Sequence, residues 1–170
     1  FLPADKRSRV ALVYGETNGR LERAGDRILA GDQLKFRAGA KYAGPEYAAF
    51  STAPDLARFY QMMLNRGTLD GKRILSPAAV EIMTRVHTGD VKAGWLTGTG
   101  FGLTWEVVKD PIGTLTGMTE GCFNHGGAFG TFGWVDPKRD LVGVFLVAHT
   151  GSRFEARDAF IFMSAAAVVD

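Results

Sequence analysis

Residues 131–148 read Thr131-Phe132-Gly133-Trp134-Val135, then Asp136-Pro137-Lys138-Arg139-Asp140, then Leu141-Val142-Gly143-Val144-Phe145-Leu146-Val147-Ala148. Thr131 to Val135 reads as a strand, and Pro137 sits where its fixed φ starts a turn. Leu141 to Ala148 is nearly all apolar. It reads as a central strand covered on both faces. Strand, tight turn and strand make an antiparallel hairpin, and the sheet it belongs to decides the fold.

Upstream, Phe101, Leu103, Trp105 and Val107 alternate with Gly102, Thr104 and Glu106. That period reads as one half-buried strand with Glu106 on the polar side. Helical patterns flank the strands. Thr52 and Asp55 form a variant capping box, and Leu56, Phe59, Tyr60, Met63 and Leu64 make one apolar stripe over residues 51–66. Tyr60 and Met63 therefore read as core, and Gly67 as the stop. A second helix starts at Ser76-Pro77, carries Ala79, Val80 and Met83, and ends near Thr88-Gly89. Residues 90–99 read as a loop. A last helix starts from Ser152, boxed by Glu155, and buries Phe154, Ile161, Phe162, Ala165, Val168 and Val169. Near the start, Val10 to Tyr14 and Arg20-Leu21-Glu22-Arg23 flank Asn18-Gly19, a hairpin signal. Residues 24–45, punctuated by Gly25, Gly31, Gly39 and Gly44, read as loop. The expected class is α+β of the α/β-sandwich type, an antiparallel sheet with flanking helices. One domain spans 1–170: hairpin and loops over 1–49, a helical part over 50–89, and antiparallel strands plus a C-terminal helix over 100–170.

The whole chain has 170 residues, 46% hydrophobic, with a net charge of +2. Such a chain buries too much to be disordered, and its balanced charge makes nucleic acid an unexpected partner. No apolar run approaches the roughly 20 residues of a membrane-spanning helix. Cys122 is the lone cysteine and reads as a small buried hydrophobe. Three residues apart on a strand, Cys122 and His125 fall on opposite faces and form no dyad. His87, His125 and His149 lack metal-ligand spacing, and the glycine sets Gly98, Gly100, Gly102 and Gly127, Gly130, Gly133 lead into strands rather than helices. Neither a metal nor a phosphate-bearing cofactor is expected. No Gly-x-Ser-x-Gly occurs. Asp136 and Asp140 read as turn-formers. The chain begins at Phe1, and Phe1 to Lys6 has no charged n-region followed by an apolar one, so it does not read as a signal peptide. It reads as processed, or as a piece of a longer protein.

The segment that points to chemistry is Gly121-Cys122-Phe123-Asn124-His125-Gly126-Gly127-Ala128-Phe129-Gly130-Thr131. Glycines beside an imidazole let a backbone or a ligand come close, and free N–H groups there would receive a carbonyl oxygen as an oxyanion hole does. The same residues also suit a Gly-rich turn with a structural histidine.

Three stretches together resemble the serine β-lactamase-related superfamily, which holds class C β-lactamases, β-lactamase-fold esterases and D-Ala-D-Ala carboxypeptidases. They are Phe50-Ser51-Thr52-Ala53-Pro54-Asp55-Leu56-Ala57-Arg58-Phe59 running on to Leu64-Asn65, Leu69-Asp70-Gly71-Lys72-Arg73-Ile74-Leu75-Ser76-Pro77, and His125 to Thr131 with Trp134-Val135-Asp136-Pro137. The resemblance covers the C-terminal part of the family's domain. The family's nucleophile lies in Ser-x-x-Lys and its second motif is Tyr-x-Asn. Here Ser8, Ser51, Ser76, Ser152 and Ser164 are followed three positions on by Ala11, Pro54, Ala79, Glu155 and Ala167, and no tyrosine has Asn two positions on.

What the resemblance implies concerns the third motif, Lys-Thr-Gly or His/Trp-x-Gly. His125 takes the Lys position, Gly126 and Gly127 the next two, and the Ala128 N–H becomes one of two oxyanion donors. A His there resembles the esterase-like members. Relatives often carry Gly-Gly shortly before Phe-Ser-Thr, where this chain has Tyr47-Ala48-Ala49 before Phe50. The implied function is the C-terminal portion of a serine hydrolase acting on a small ester, β-lactam or D-Ala peptide. This portion lacks the nucleophile and is inactive alone. The implied partner is the N-terminal half of the same domain, or a second copy through exposed sheet, and the implied location is periplasmic or secreted. The other reading is a non-catalytic binding or structural module, a truncated or degenerate relative.

Overall fold

The computed structural model describes residues 3–24, 27–28, 31–32, 49–113, 117–151 and 154–169. The hairpin at 131–148 forms, as β10 (Phe132–Asp136) and β11 (Leu141–Phe145) joined through Asp136 to Asp140. It belongs to a five-stranded antiparallel sheet in the order β11-β10-β9-β8-β7, with β7 at Thr99–Phe101, β8 at Glu106–Val108 and β9 at Phe123–Gly126. Alternation splits β10 between two cores. Val135 packs with Tyr60, Met62 and Met63 of helix α1 (Ala53–Leu64). Phe132 and Trp134 pack on the other face with Ile161 of helix α3 (Glu155–Ala166). Helices thus cover both faces of the sheet, as the α+β sandwich reading requires. Close packing explains two of the strand glycines. A Cβ on Gly133 would collide with the Tyr60 ring, and one on Gly143 with the Trp134 indole.

Two caps read from sequence are in place. Thr52 Oγ1 accepts from the Asp55 N–H at 3.3 Å and donates to the Asp55 carboxylate at 2.9 Å. Ser76 Oγ accepts from the Ala79 N–H at 3.0 Å ahead of helix α2 (Pro77–Thr84). At the end of α1 the left-handed position is taken by Arg66, φ 52°, and the Gly67 N–H then returns to Met62 O at 2.8 Å. This is a Schellman closure one residue earlier than expected. Near the start, β1 (Tyr14–Thr17) and β2 (Arg20–Arg23) turn through Asn18 and Gly19, both at positive φ, as a two-residue hairpin demands. With β12 (His149–Thr150), which runs parallel to β1, they form a separate three-stranded sheet.

Several expectations need correction. Helix α2 stops at Thr84, because Arg85 is already extended. The single strand expected over 101–107 is a hairpin: β7 ends at Phe101, Thr104 takes a φ of 74°, and β8 starts at Glu106. Leu103 sits on the turn and is exposed. Glu106, expected on the polar side, is buried. Strand β11 ends at Phe145 and lies at the edge of the sheet among the described residues, not at its centre. The last helix has Phe154 at its N-cap with no side-chain cap, and Phe162 and Val169 are exposed. Phe59 of the α1 stripe is also exposed, while Met62 outside the stripe is buried. Within the expected loop 24–45, β3 (Arg27–Ile28) and β4 (Gly31–Asp32) pair as a short ladder, and β5 (Thr68–Leu69) pairs with β6 (Lys72–Arg73) between α1 and α2. Gly25, Gly39 and Gly44, the Tyr47-Ala48 departure and Ser152 lie outside the described residues.

Candidate active site

Strand β9 runs from the interior to the surface. Phe123 and Asn124 are buried and His125 is exposed. Register explains the change. On one side β8 pairs with β9 only at Val107↔Phe123 and Glu106↔Asn124. On the other side β10 continues, with Gly133 opposite His125 and Phe132 opposite Gly126. His125 therefore stands one residue beyond the last rung on the β8 side, and the strand end has one neighbour and one open edge.

The next four residues turn back into β10. The Gly127 N–H donates to Thr131 O at 2.8 Å, and the Gly130 N–H to Gly127 O at 2.9 Å. Gly130 adopts a φ of +84°, which favours glycine. A Cβ on Gly127 would collide with Thr131 Oγ1, so a larger residue there would have to displace the Thr131 hydroxyl. At Gly126 a Cβ would meet only ordinary contact with the Phe132 ring at 3.5 Å. The close approach expected at both glycines thus applies to the second alone. Ala128 is exposed, and its N–H donates to no acceptor among the described residues.

His125 Nδ1 lies 2.7 Å from Gly126 O. A carbonyl oxygen only accepts, so Nδ1 is the donor in this contact. The structure thus places His125, Gly126, Gly127 and Ala128 on one strand end and turn: an exposed imidazole, then an exposed backbone N–H with no acceptor among the described residues. Among the described residues, no group of three His, Cys, Asp or Glu side chains is placed to hold a metal ion. Cys122 is fully buried, and burial, followed by the nearby Asp136 charge, pushes its thiol pKa well up while Arg139 opposes. It is a packed thiol rather than a nucleophile.

Four residues around this strand end escaped the sequence reading. Glu106 is 1% exposed, and its Oε1 accepts from the Trp95 N–H at 2.5 Å and the Leu96 N–H at 2.8 Å. Thr99 Oγ1 lies 2.7 Å from the same oxygen and 2.6 Å from Leu96 O, and its single proton serves one of them. The Trp95 indole stands edge-to-face with the His125 imidazole, centroids 5.1 Å apart at 85°. Asn124, opposite Glu106, is buried with both amide atoms unpartnered, as is Glu106 Oε2. The available signal was a carboxylate two residues from a Gly-Leu-Thr turn. A turn there makes β8 begin at Glu106, so its alternation cannot be carried over from β7.

An antiparallel sheet covered by helices on both faces, with a histidine and a glycine pair at the open end of an inner strand, defines an α+β domain. The sequence pattern of the Beta-lactamase family matches residues 2–167, and the chain belongs to that family. It is 39% identical over 110 residues to Protein Rv1367c of Mycobacterium tuberculosis, a match covering 59% of this chain and 27% of that protein. Among solved structures it is similar to EstCE1, a hydrolase with promiscuous acyltransferase activity: TM-score 0.76, 22% identity, 97% of this chain and 45% of that one. It is also similar to the simvastatin synthase LovD from Aspergillus terreus: TM-score 0.70, 17% identity, 95% of this chain and 43% of that one. The match thus spans about a quarter of the curated relative and under half of each solved chain. Among the described residues no helix is long and apolar enough to cross a membrane.

Proposed function

We propose that residues 1–170 are the C-terminal portion of a β-lactamase-like serine hydrolase acting on esters, β-lactams or D-Ala peptides, and that His125 to Ala128 are its third active-site segment. The observation that carries this reading is the exposed Ala128 N–H, which has no acceptor among the described residues, three residues from the exposed His125 imidazole. A serine outside these residues attacks the substrate carbonyl, and its proton passes to a base. The new oxyanion is held by the Ala128 N–H and the serine's own N–H. Collapse expels the leaving group, and water then releases the acyl group. The base returns its proton to the leaving group as it departs and takes one from the incoming water, and His125 lies beside the Ala128 donor on the same strand end. The donor is fixed by a strand and a hydrogen-bonded turn, so little reorganisation accompanies charge development.

The test uses a p-nitrophenyl ester and a chromogenic cephalosporin. The 170-residue chain alone is expected to turn over neither, since it contains no Ser-x-x-Lys. The coding sequence upstream of Phe1 is expected to encode one. In that longer polypeptide Ala128→Pro, which deletes the N–H, should cost ~10²–10³ in kcat/KM. Turnover by the short chain, or an Ala128→Pro variant with full activity, overturns the reading. A native start codon near Phe1 would instead favour a non-catalytic binding module, the reading that the missing Ser-x-x-Lys supports. The proposal also gives β11 a partner: its outer edge is unpaired among the described residues, with Leu146 and Val147 exposed beyond it. Either the N-terminal half or a second copy covers it, and light scattering of the short chain should show association.

A further inference from the structure

The loop before β7 is held in an unusual way. Gly94 adopts a φ of +108°, and a Cβ on it would collide with Thr99 Oγ1 and fall 2.8 Å from Glu106 Oε1. Only glycine lets the chain pass here, and the next two N–H groups then reach the buried carboxylate. A carboxylate that accepts from backbone amides makes strong, charge-assisted bonds. Glu106 is therefore a fixed anchor inside the sheet for an otherwise exposed loop.

That anchor determines where one side chain stands. Trp95 is 64% exposed, yet its indole is held edge-to-face to both His125 and Phe101, with the Phe101 centroid 5.4 Å away. An exposed indole on a soluble surface costs apolar hydration. Here it stands on the side of β9 where β8 stops pairing, beside the imidazole and the free strand edge. Its remaining surface is open, flat and apolar.

We propose that Trp95 is an aromatic wall of the site, selecting a planar apolar group on the ligand, and that Glu106 is the positioning residue that holds it there. The proposal rests on the site reading above but names what that reading leaves open. The ligand class is an aryl ester, or an acyl compound with an aryl side chain, stacked or edge-on against the indole next to His125. Aromatic pairs of this geometry contribute about 0.5–1.5 kcal/mol beyond area burial, which is about a 2–10-fold preference over an alkyl counterpart.

The experiment needs no catalysis. The indole N–H signal of Trp95 and the imidazole C–H signals of the three histidines are followed by NMR while phenyl acetate or ethyl acetate is added to this chain. Phenyl acetate is expected to move Trp95 and His125 saturably, about 2–10-fold more tightly than ethyl acetate, with His87 and His149 unmoved. Trp95→Ala should abolish the preference. Glu106→Leu should release the loop and abolish it too, and Glu106→Gln, which keeps an acceptor, should restore it. Should Glu106→Leu fail to fold, Gly94→Ala tests the same latch from the surface side and should likewise lose the preference. The proposal is overturned if ethyl acetate binds equally well, or if the preference survives Trp95→Ala or Gly94→Ala. Failure of the hydrolase reading, seen as no turnover in the longer polypeptide, leaves these signals unaffected, so the two outcomes are distinguishable.

Discussion

Two buried carboxylates, Asp136 and Glu106, do opposite work in this sheet. Each is 1% exposed and each sits at a strand end. Asp136 uses both oxygens. Oδ2 accepts from the Thr119 N–H at 3.2 Å and from Arg139 Nη1 at 3.3 Å, while Oδ1 takes the Thr119 hydroxyl and the Lys138 N–H. Arg139 in turn donates to Gly117 O, which ties the 117–119 segment to the 136–140 turn. Glu106 uses one oxygen and has no ion pair among the described residues, and its second oxygen and the facing Asn124 amide are unpartnered. A fully satisfied network specifies one conformation, whereas a partly satisfied one carries a standing cost. Here the carboxylate in question holds the loop that carries Trp95 against His125.

The contrast breaks most easily at Asp136. Asp136→Ala strands the Thr119 and Lys138 donors and leaves Arg139 without its anion. Removing one partner of a buried charged network costs about 3–5 kcal/mol. Arg139 is partly exposed, so the lower end of that range is expected. Urea unfolding should show the midpoint falling with an unchanged slope. Asp136→Asn keeps one acceptor and should cost about 1–3 kcal/mol. Equal losses for the two variants would mean that geometry, not charge, holds the turn.

The pH dependence sharpens the same contrast, because Cys122 lies in the field of Asp136. Burial, then that carboxylate, raises the thiol pKa in the folded state. Above the unfolded thiol's value the unfolded chain has lost a proton that the folded chain keeps. Stability is therefore fully present below about pH 8.5 and falls as pH rises, at most ~1.4 kcal/mol per pH unit, until the folded pKa is reached. Tyr60, raised by burial, adds the same sign above about pH 10. Cys122→Ala should remove the earlier part of the slope and leave the later part. A slope in Cys122→Ala that still begins near pH 8.5 would locate the titration elsewhere.

Legibility differed between the two carboxylates for a physical reason. Asp136-Pro137 announces its turn locally, and the hairpin at 131–148, the caps at Thr52 and Ser76, and Asn18-Gly19 are local in the same sense. His125 to Ala128 were singled out through motif resemblance, and in the structure they lie at the end of β9 and in the turn after it. Glu106 was missed because its partners lie ten and eleven residues away in the 94–96 loop, and because the 101–107 alternation hid a turn. Strand β11 was misplaced because an apolar run reports burial by helices on both faces, which α1 and α3 do provide, and says nothing about its edge.

The smallest effect is the most discriminating. Glu106→Gln retains a side-chain oxygen for the Trp95 and Leu96 N–H groups, and its new NH2 replaces Oε2, an oxygen with no partner among the described residues. Charge-assisted bonding weakens but the oxygen replaced has no partner to lose, so stability should change by no more than about 1 kcal/mol. In Asp136→Asn, by contrast, either oxygen replaced loses donors already engaged with the carboxylate. Measured side by side in urea, Asp136→Asn should be the costlier of the two isosteric changes. If Glu106→Gln proves the costlier of the two, Glu106 is as much a structural ion as Asp136. Its open oxygen and the facing amide would then be bridged by ordered water, which the charge keeps in place.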